Sequence, residues 1–138
     1  MNILISDSNY EVNTALRLVL EQKHGYTISG EANDLISLFS SITQHCPDVL
    51  ILDADIHGLK SSHRESKNGF AKLLDTLHQL CPSIYVIALS NLPNQEQNCL
   101  QAGANAFACK SDPPDNLLGL LENLSKNKSG SLSLINHH

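Results

Sequence analysis

Four groups able to act together chemically stand at the ends of apolar runs. Val49, Leu50, Ile51 and Leu52 run unbroken into Asp53, with a second carboxylate, Asp55, two residues on. Ile3, Leu4 and Ile5 lead through Ser6 to Asp7; residues 84–89 lead to Ser90, and 106–109 to Lys110. Close carboxylates repel by roughly 4 kcal/mol at about 4 Å in an effective dielectric near 20, so they share a site only where a cation offsets them. Mg²⁺ does so with one or two carboxylates, waters and phosphate oxygens. On that chemistry Asp53 is a nucleophile toward a phosphoryl group, forming an acyl phosphate. Ser90 and Lys110 then hold the phosphoryl oxygens, one by hydrogen bond and one by charge. The plainer readings are that Asp53 only starts a turn and Ser90 only ends a strand.

These residues can meet only if their strands lie parallel. Residues 2–6, 26–31, 49–52, 84–89 and 106–109 read as short strands, the third and fourth as continuous apolar runs of the kind buried on both faces. Between them the apolar spacing is helical: Val12, Leu16, Val19 and Leu20; Leu35, Leu38, Phe39 and Ile42; Phe70, Leu73, Leu74, Leu77 and Leu80; a short polar helix over 95–102. Pro113 and Pro114 can open a last helix carrying Leu117, Leu118, Leu121 and Leu124. Five alternations of strand and helix, joined by right-handed crossovers, predict a doubly wound α/β domain with a five-stranded parallel sheet and helices on both faces. All four strand ends then fall at one carboxyl edge, where open α/β sheets bind ligands. Residues 59–69 read as an exposed polar loop. Residues 1–125 form the domain, and the Lys, Asn, Ser and Gly of 126–138 read as a linker or tail, whose His137 and His138 are either native or the stub of a tag.

The 138 residues suffice for one domain with a hydrophobic core, and 41% hydrophobic with 17% charged content is that of a globular chain. No apolar run approaches the roughly 18 residues that span a bilayer. A net charge of -5 argues against a grip on nucleic acid by this domain. Cys46, Cys81, Cys99 and Cys109 form no C-x-x-C pair and read as reduced small hydrophobes of a cytosolic protein. His24, His45, His63 and His78 lack metal-ligand spacing and read as solvated.

The motifs I-L-I-S-D (3–7), P-D-V-L-I-L-D (47–53), V-I-A-L-S (86–90) and G-A-N-A-F-A-C-K (103–110), in this order and spacing, resemble the receiver domains of two-component response regulators. The resemblance covers residues 2–124. It implies the flavodoxin-like receiver fold, with Asp53 as phosphoacceptor and Asp7, Asp53 and the Asp55 main-chain carbonyl as Mg²⁺ ligands. It also implies Ser90 as switch hydroxyl, Lys110 as phosphate-binding lysine and Phe107 as aromatic switch. Three features depart from the family pattern. Ser8 stands where a second acid is usual, Ser111 where proline commonly follows the lysine, and His57 where proline is frequent ahead of a longer loop over 59–68.

What the resemblance implies is a cytoplasmic signalling protein, not an enzyme, that takes a phosphoryl group from a sensor histidine kinase and slowly hydrolyses it. Its G-A-x-A-F-x-x-K ending is that of receivers joined to helix-turn-helix DNA-binding output domains, so transcription is the expected output. A homodimer through the face of helix four, strand five and helix five fits the same pattern. Ser8 favours an alternative, a pseudo-receiver that binds partners without phosphorylation. The Asp53-x-Asp55 pair suggests, more remotely, an Asp-nucleophile phosphatase, in which that motif would normally follow the first strand.

Overall fold

The structure, a computed structural model, describes residues 1–59 and 66–137, the side chains of 66–68 and 127–137 excepted. Strand and helix alternate as β1 (Asn2–Ser6), α1 (Tyr10–Glu21), β2 (Thr27–Ala32), α2 (Leu35–Gln44) and β3 (Val49–Asp53). There follow α3 (Ser66–Leu80), β4 (Tyr85–Ser90), a 3-10 turn at Pro93–Gln95 leading into α4 (Glu96–Ala102), β5 (Ala106–Cys109) and α5 (Pro114–His137). The strands form one sheet in the order β2-β1-β3-β4-β5, every pairing parallel. The doubly wound five-stranded sheet expected from the sequence is therefore the fold observed.

Alternation along the central strands divides the core in two. Leu4, Leu50, Leu52, Val86 and Ala88 face α2, α3 and α4, meeting Leu38, Ile42, Leu74 and Leu77. Ile3, Ile5, Val49, Ile51, Ile87 and Leu89 face α1 and α5, meeting Leu20, Leu117 and Leu121. Every residue of β3 is buried, which is why its sequence is an unbroken apolar run up to Asp53. The chain winds outward in both directions from β1 and β3, so a crevice opens at their carboxyl ends. Ser6 pairs with Leu52, which sets Asp7, just past β1, beside Asp53, the last residue of β3.

Two sequence expectations need revision. Cys46 and Cys81, expected to be reduced, form a disulfide. Each lies early in the connection ahead of a strand, and because β3 and β4 are neighbours those connections meet, with the two Cα atoms 5.8 Å apart, inside the span a disulfide bridges. Cys99 and Cys109 are free and buried. The polar stretch assigned to a loop over 59–69 is helical from Ser66, because α3 begins one turn before its apolar stripe; residues 60–65, with His63, lie outside the described residues. Helix α5 continues to His137, through residues read from composition as linker or tail. Apart from Gly130 that stretch holds no strong helix breaker, so an established helix can propagate through it.

Candidate functional site

Each carboxylate is set by the turn that follows its strand. Asp7 remains tied to β2 by its N–H, which donates to the Ala32 carbonyl at 3.1 Å, while its Oδ1 accepts from Asn9 N–H at 2.9 Å. Asn9 then caps α1, its side chain accepting from Glu11 N–H. Buried Asn13, one turn into α1, donates from Nδ2 to the carbonyls of Asp7 and Ala32, both at 3.0 Å. The entry to α1 is thus fastened to the end of β1. Asp53 is 1% exposed; its Oδ1 accepts from Asp55 N–H at 2.9 Å and its Oδ2 from Ser8 N–H at 3.2 Å. Gly58 turns the chain back at φ +102, where a Cβ would stand 3.2 Å from Leu35 Cβ.

Lys110 completes the group from β5. Its N–H donates to the Ser90 carbonyl at 2.8 Å, and its ammonium lies 2.7 Å from Asp7 Oδ2 and 3.0 Å from Asp53 Oδ1. The lysine side chain is 15% exposed, the two carboxylates 1% and 2%. Burial alone would lower the lysine pKa, but the hydrogen bonds and charges of Asp7 and Asp53 outweigh it and hold the ammonium above the ordinary lysine range. Three of the residues singled out from sequence, Asp7, Asp53 and Lys110, are therefore in direct contact.

Ser90 and Phe107 are placed differently. Ser90 shares the strand face of Val86 and Ala88, and its Oγ accepts from Leu92 N–H at 3.1 Å. Phe107 pairs with Ala88 and packs half-buried on that same face, against the core under α3 and α4. The two are thus neighbours across β4 and β5. Asp55 is exposed at the rim, and its carbonyl accepts from the Ser8 hydroxyl at 3.4 Å. His57 N–H donates to Ser8 Oγ at 2.8 Å. The expected turn beyond Lys110 has Ser111 on trans backbone, and no peptide bond among the described residues is cis.

The donor set suits a hard divalent cation. Asp7 Oδ2 is buried and, apart from the Lys110 ammonium, meets no donor among the described residues. Two carboxylates facing one ammonium leave net negative charge, and the Asp55 carbonyl adds a neutral oxygen. Among the described residues no three His, Cys, Asp or Glu side chains gather into a metal cage.

The family model for the response regulator receiver domain matches residues 3–122. The chain belongs to this family. Among curated relatives, a putative transcriptional regulator of Pseudomonas aeruginosa is 30% identical over 116 residues, covering 84% of this chain and 52% of that protein. The DNA-binding transcriptional activator EvgA of Escherichia coli K12 is 28% identical over 124 residues, covering 88% and 56%. The chain thus spans about half the length of the curated relatives it matches. Among solved structures, the isolated receiver domain of RcsB from Salmonella enterica serovar Typhimurium, with the phosphomimetic BeF3⁻, superimposes with a TM-score of 0.76 at 26% identity. That match covers 91% of this chain and 88% of the other. This receiver is accordingly related to transcription regulators, and no helix among its described residues is long and apolar enough to cross a membrane.

Sequence reasoning missed the polar scaffold of the receiver site. Asn13 is one asparagine on an amphipathic helix, with nothing in the sequence to single it out. The contact between Ser8 and His57 did leave a trace, since each stands where the family pattern has another residue.

Proposed function

We propose that this receiver takes a phosphoryl group onto Asp53 from a sensor histidine kinase and switches a transcriptional output. The observation that carries the reading is the Lys110 ammonium bridging Asp7 and Asp53 at the switch point of the sheet. Asp53 Oδ1 is engaged by Lys110 and Asp55 N–H, whereas Oδ2 accepts a single, longer bond from Ser8. Oδ2 is therefore the freer nucleophile. It attacks the phosphorus of a phosphohistidine as the N–P bond breaks; the imidazole nitrogen keeps the electron pair and takes up a proton. Lys110 neutralises the added charge, and the Ser90 hydroxyl exchanges its bond with Leu92 N–H for a phosphoryl oxygen.

Asp7, Asp53 and the Asp55 carbonyl would hold Mg²⁺, which when bound draws charge from the phosphoryl oxygens. Inward movement of Ser90 leaves room on the sheet face it shares with Phe107, whose turning would reshape the surface of α4, β5 and α5. That is a local electrostatic event biasing a two-state element. The same surface would carry homodimerisation. Slow loss of the acyl phosphate to water would reset the switch. Residues 1–125 form the receiver, and the far end of α5 leads to an output domain, for which the DNA-binding relatives are the precedent. The cytoplasmic location belongs to the same proposal.

A second reading has one observation behind it. Ser8 in place of an acid favours a pseudo-receiver, in which the fold binds a partner without phosphorylation. Titration with beryllofluoride and Mg²⁺, followed by amide chemical shifts, separates the two. Shifts at Asp53, Ser90, Phe107 and Lys110 that vanish in Asp53→Ala support the phosphoacceptor; an unresponsive site favours the pseudo-receiver.

A further inference from the structure

Ser8 makes two side-chain contacts, one accepting and one donating, and an ionised acid in its place could make only the first. Its oxygen accepts from His57 N–H at 2.8 Å, and its own proton is aimed at the Asp55 carbonyl at 3.4 Å. A hydroxyl carries one proton and two lone pairs. With His57 on one lone pair, the proton is left to reach Asp55 O, the neutral oxygen of the proposed cation-binding set, across a long contact. Ser8 N–H meanwhile donates to Asp53 Oδ2. One residue therefore directs one donor at the carbonyl that would face a cation and another at the carboxylate oxygen that would take the phosphoryl group.

His57 is what holds this arrangement. Its carbonyl accepts from Leu35 N–H at 2.9 Å, and Gly58 beside it fixes the turn, so the His57 N–H points inward at Ser8. A proline at 57 would have no N–H to give. The two departures from the family pattern are thus the two halves of one hydrogen bond.

We propose that Ser8, fixed by His57 N–H, is a latch that competes with a divalent cation for the Asp55 carbonyl. This receiver is thereby built for weak Mg²⁺ binding. The inference rests on the reading of Asp7, Asp53 and Asp55 as the metal set. Ser8→Ala removes the hydroxyl's bond to that carbonyl and tightens Mg²⁺ binding by about two- to fivefold, the worth of a weak hydrogen bond. Ser8→Asp removes the latch and adds a charge, tightening it by about tenfold or more.

The test titrates the full chain and both variants with Mg²⁺ alone, read by the amide shifts of Asp7, Asp53 and Asp55. Affinity rising from wild type to Ser8→Ala to Ser8→Asp establishes the latch. Weaker binding in Ser8→Ala would make the hydroxyl a ligand, and equal binding would make it a bystander; either overturns the proposal, as does no binding in any variant. Acetyl phosphate added to the same samples keeps the two readings apart. The predicted affinity order without phosphoryl transfer leaves the latch standing and removes the phosphoacceptor; transfer with flat affinities does the reverse.

Discussion

Replacing Lys110 by methionine removes the only positive charge among the described residues in contact with two nearly inaccessible carboxylates. At the observed 2.7 and 3.0 Å, each attraction is about 5–6 kcal/mol in an effective dielectric of 20. Both carboxylate oxygens contact one nitrogen, so they lie within about 6 Å of each other and repel by about 3 kcal/mol or more. Much of the attraction offsets the cost of burying the lysine, and the loss to expect is that of breaking a buried ion pair, about 3–5 kcal/mol. With a urea slope of about 1.5 kcal/mol per molar, the unfolding midpoint at neutral pH falls by about 2–3 M. Asp53→Asn relieves the repulsion as it loses the attraction, and stays within about 1 kcal/mol of wild type. The double variant recovers part of the Lys110→Met loss, giving a coupling of about 2 kcal/mol. The pH dependence follows from the raised lysine pKa. Stabilisation by the ammonium is present at neutral pH and is lost as pH rises through the higher folded value, so on the alkaline side wild type and Lys110→Met converge above the ordinary lysine range. A loss under about 1 kcal/mol at neutral pH, or strict additivity with Asp53→Asn, would refute the reasoning.

Other outcomes follow from single features. Cys46–Cys81 closes a separation of 35 residues, and its reduction lowers stability by about 4 kcal/mol. Unfolding with and without reductant measures this, and a Cys46→Ser variant should not respond to reductant. Gly58→Ala places a Cβ against Leu35 at a φ that L-residues avoid, costing about 1–2 kcal/mol in thermal unfolding. Asp34 caps α2 by accepting from Ser37, and this backbone bond, then the side-chain one, holds its carboxyl below the ordinary range. A depressed pKa stabilises above the unfolded value and is lost as pH falls through the folded one, so Asp34→Asn should flatten the acid limb of the stability profile.

The legible parts of this fold were those where one physical demand dominates. Burial on both faces makes β3 an unbroken apolar run, and the cost of burying charge puts Asp53 where that run ends. Helical periodicity located α1, α2 and the body of α3 because each buries one stripe. The start of α3 was not legible, since Ser66 to Gly69 precede the stripe and carry little apolar signal. Nor was the far end of α5, where propagation from an existing helix replaces patterning. Cys46 and Cys81 meet only because β3 and β4 are neighbours, a fact of topology that spacing does not encode. At the site, Asp7, Asp53 and Lys110 converge because parallel strands share a carboxyl edge. The donors around them are largely backbone N–H groups of Ser8, Asn9 and Asp55, which every residue but proline possesses and which therefore leave no mark in the sequence.

The central claim is that Asp53 is a working phosphoacceptor despite Ser8. Incubating the chain with Mg²⁺ and acetyl phosphate, with Asp53→Ala beside it, and reading intact mass tests this most directly. The account predicts a gain of one phosphoryl group that is absent in the variant and absent without Mg²⁺. No gain at saturating Mg²⁺, or an equal gain in Asp53→Ala, would contradict it.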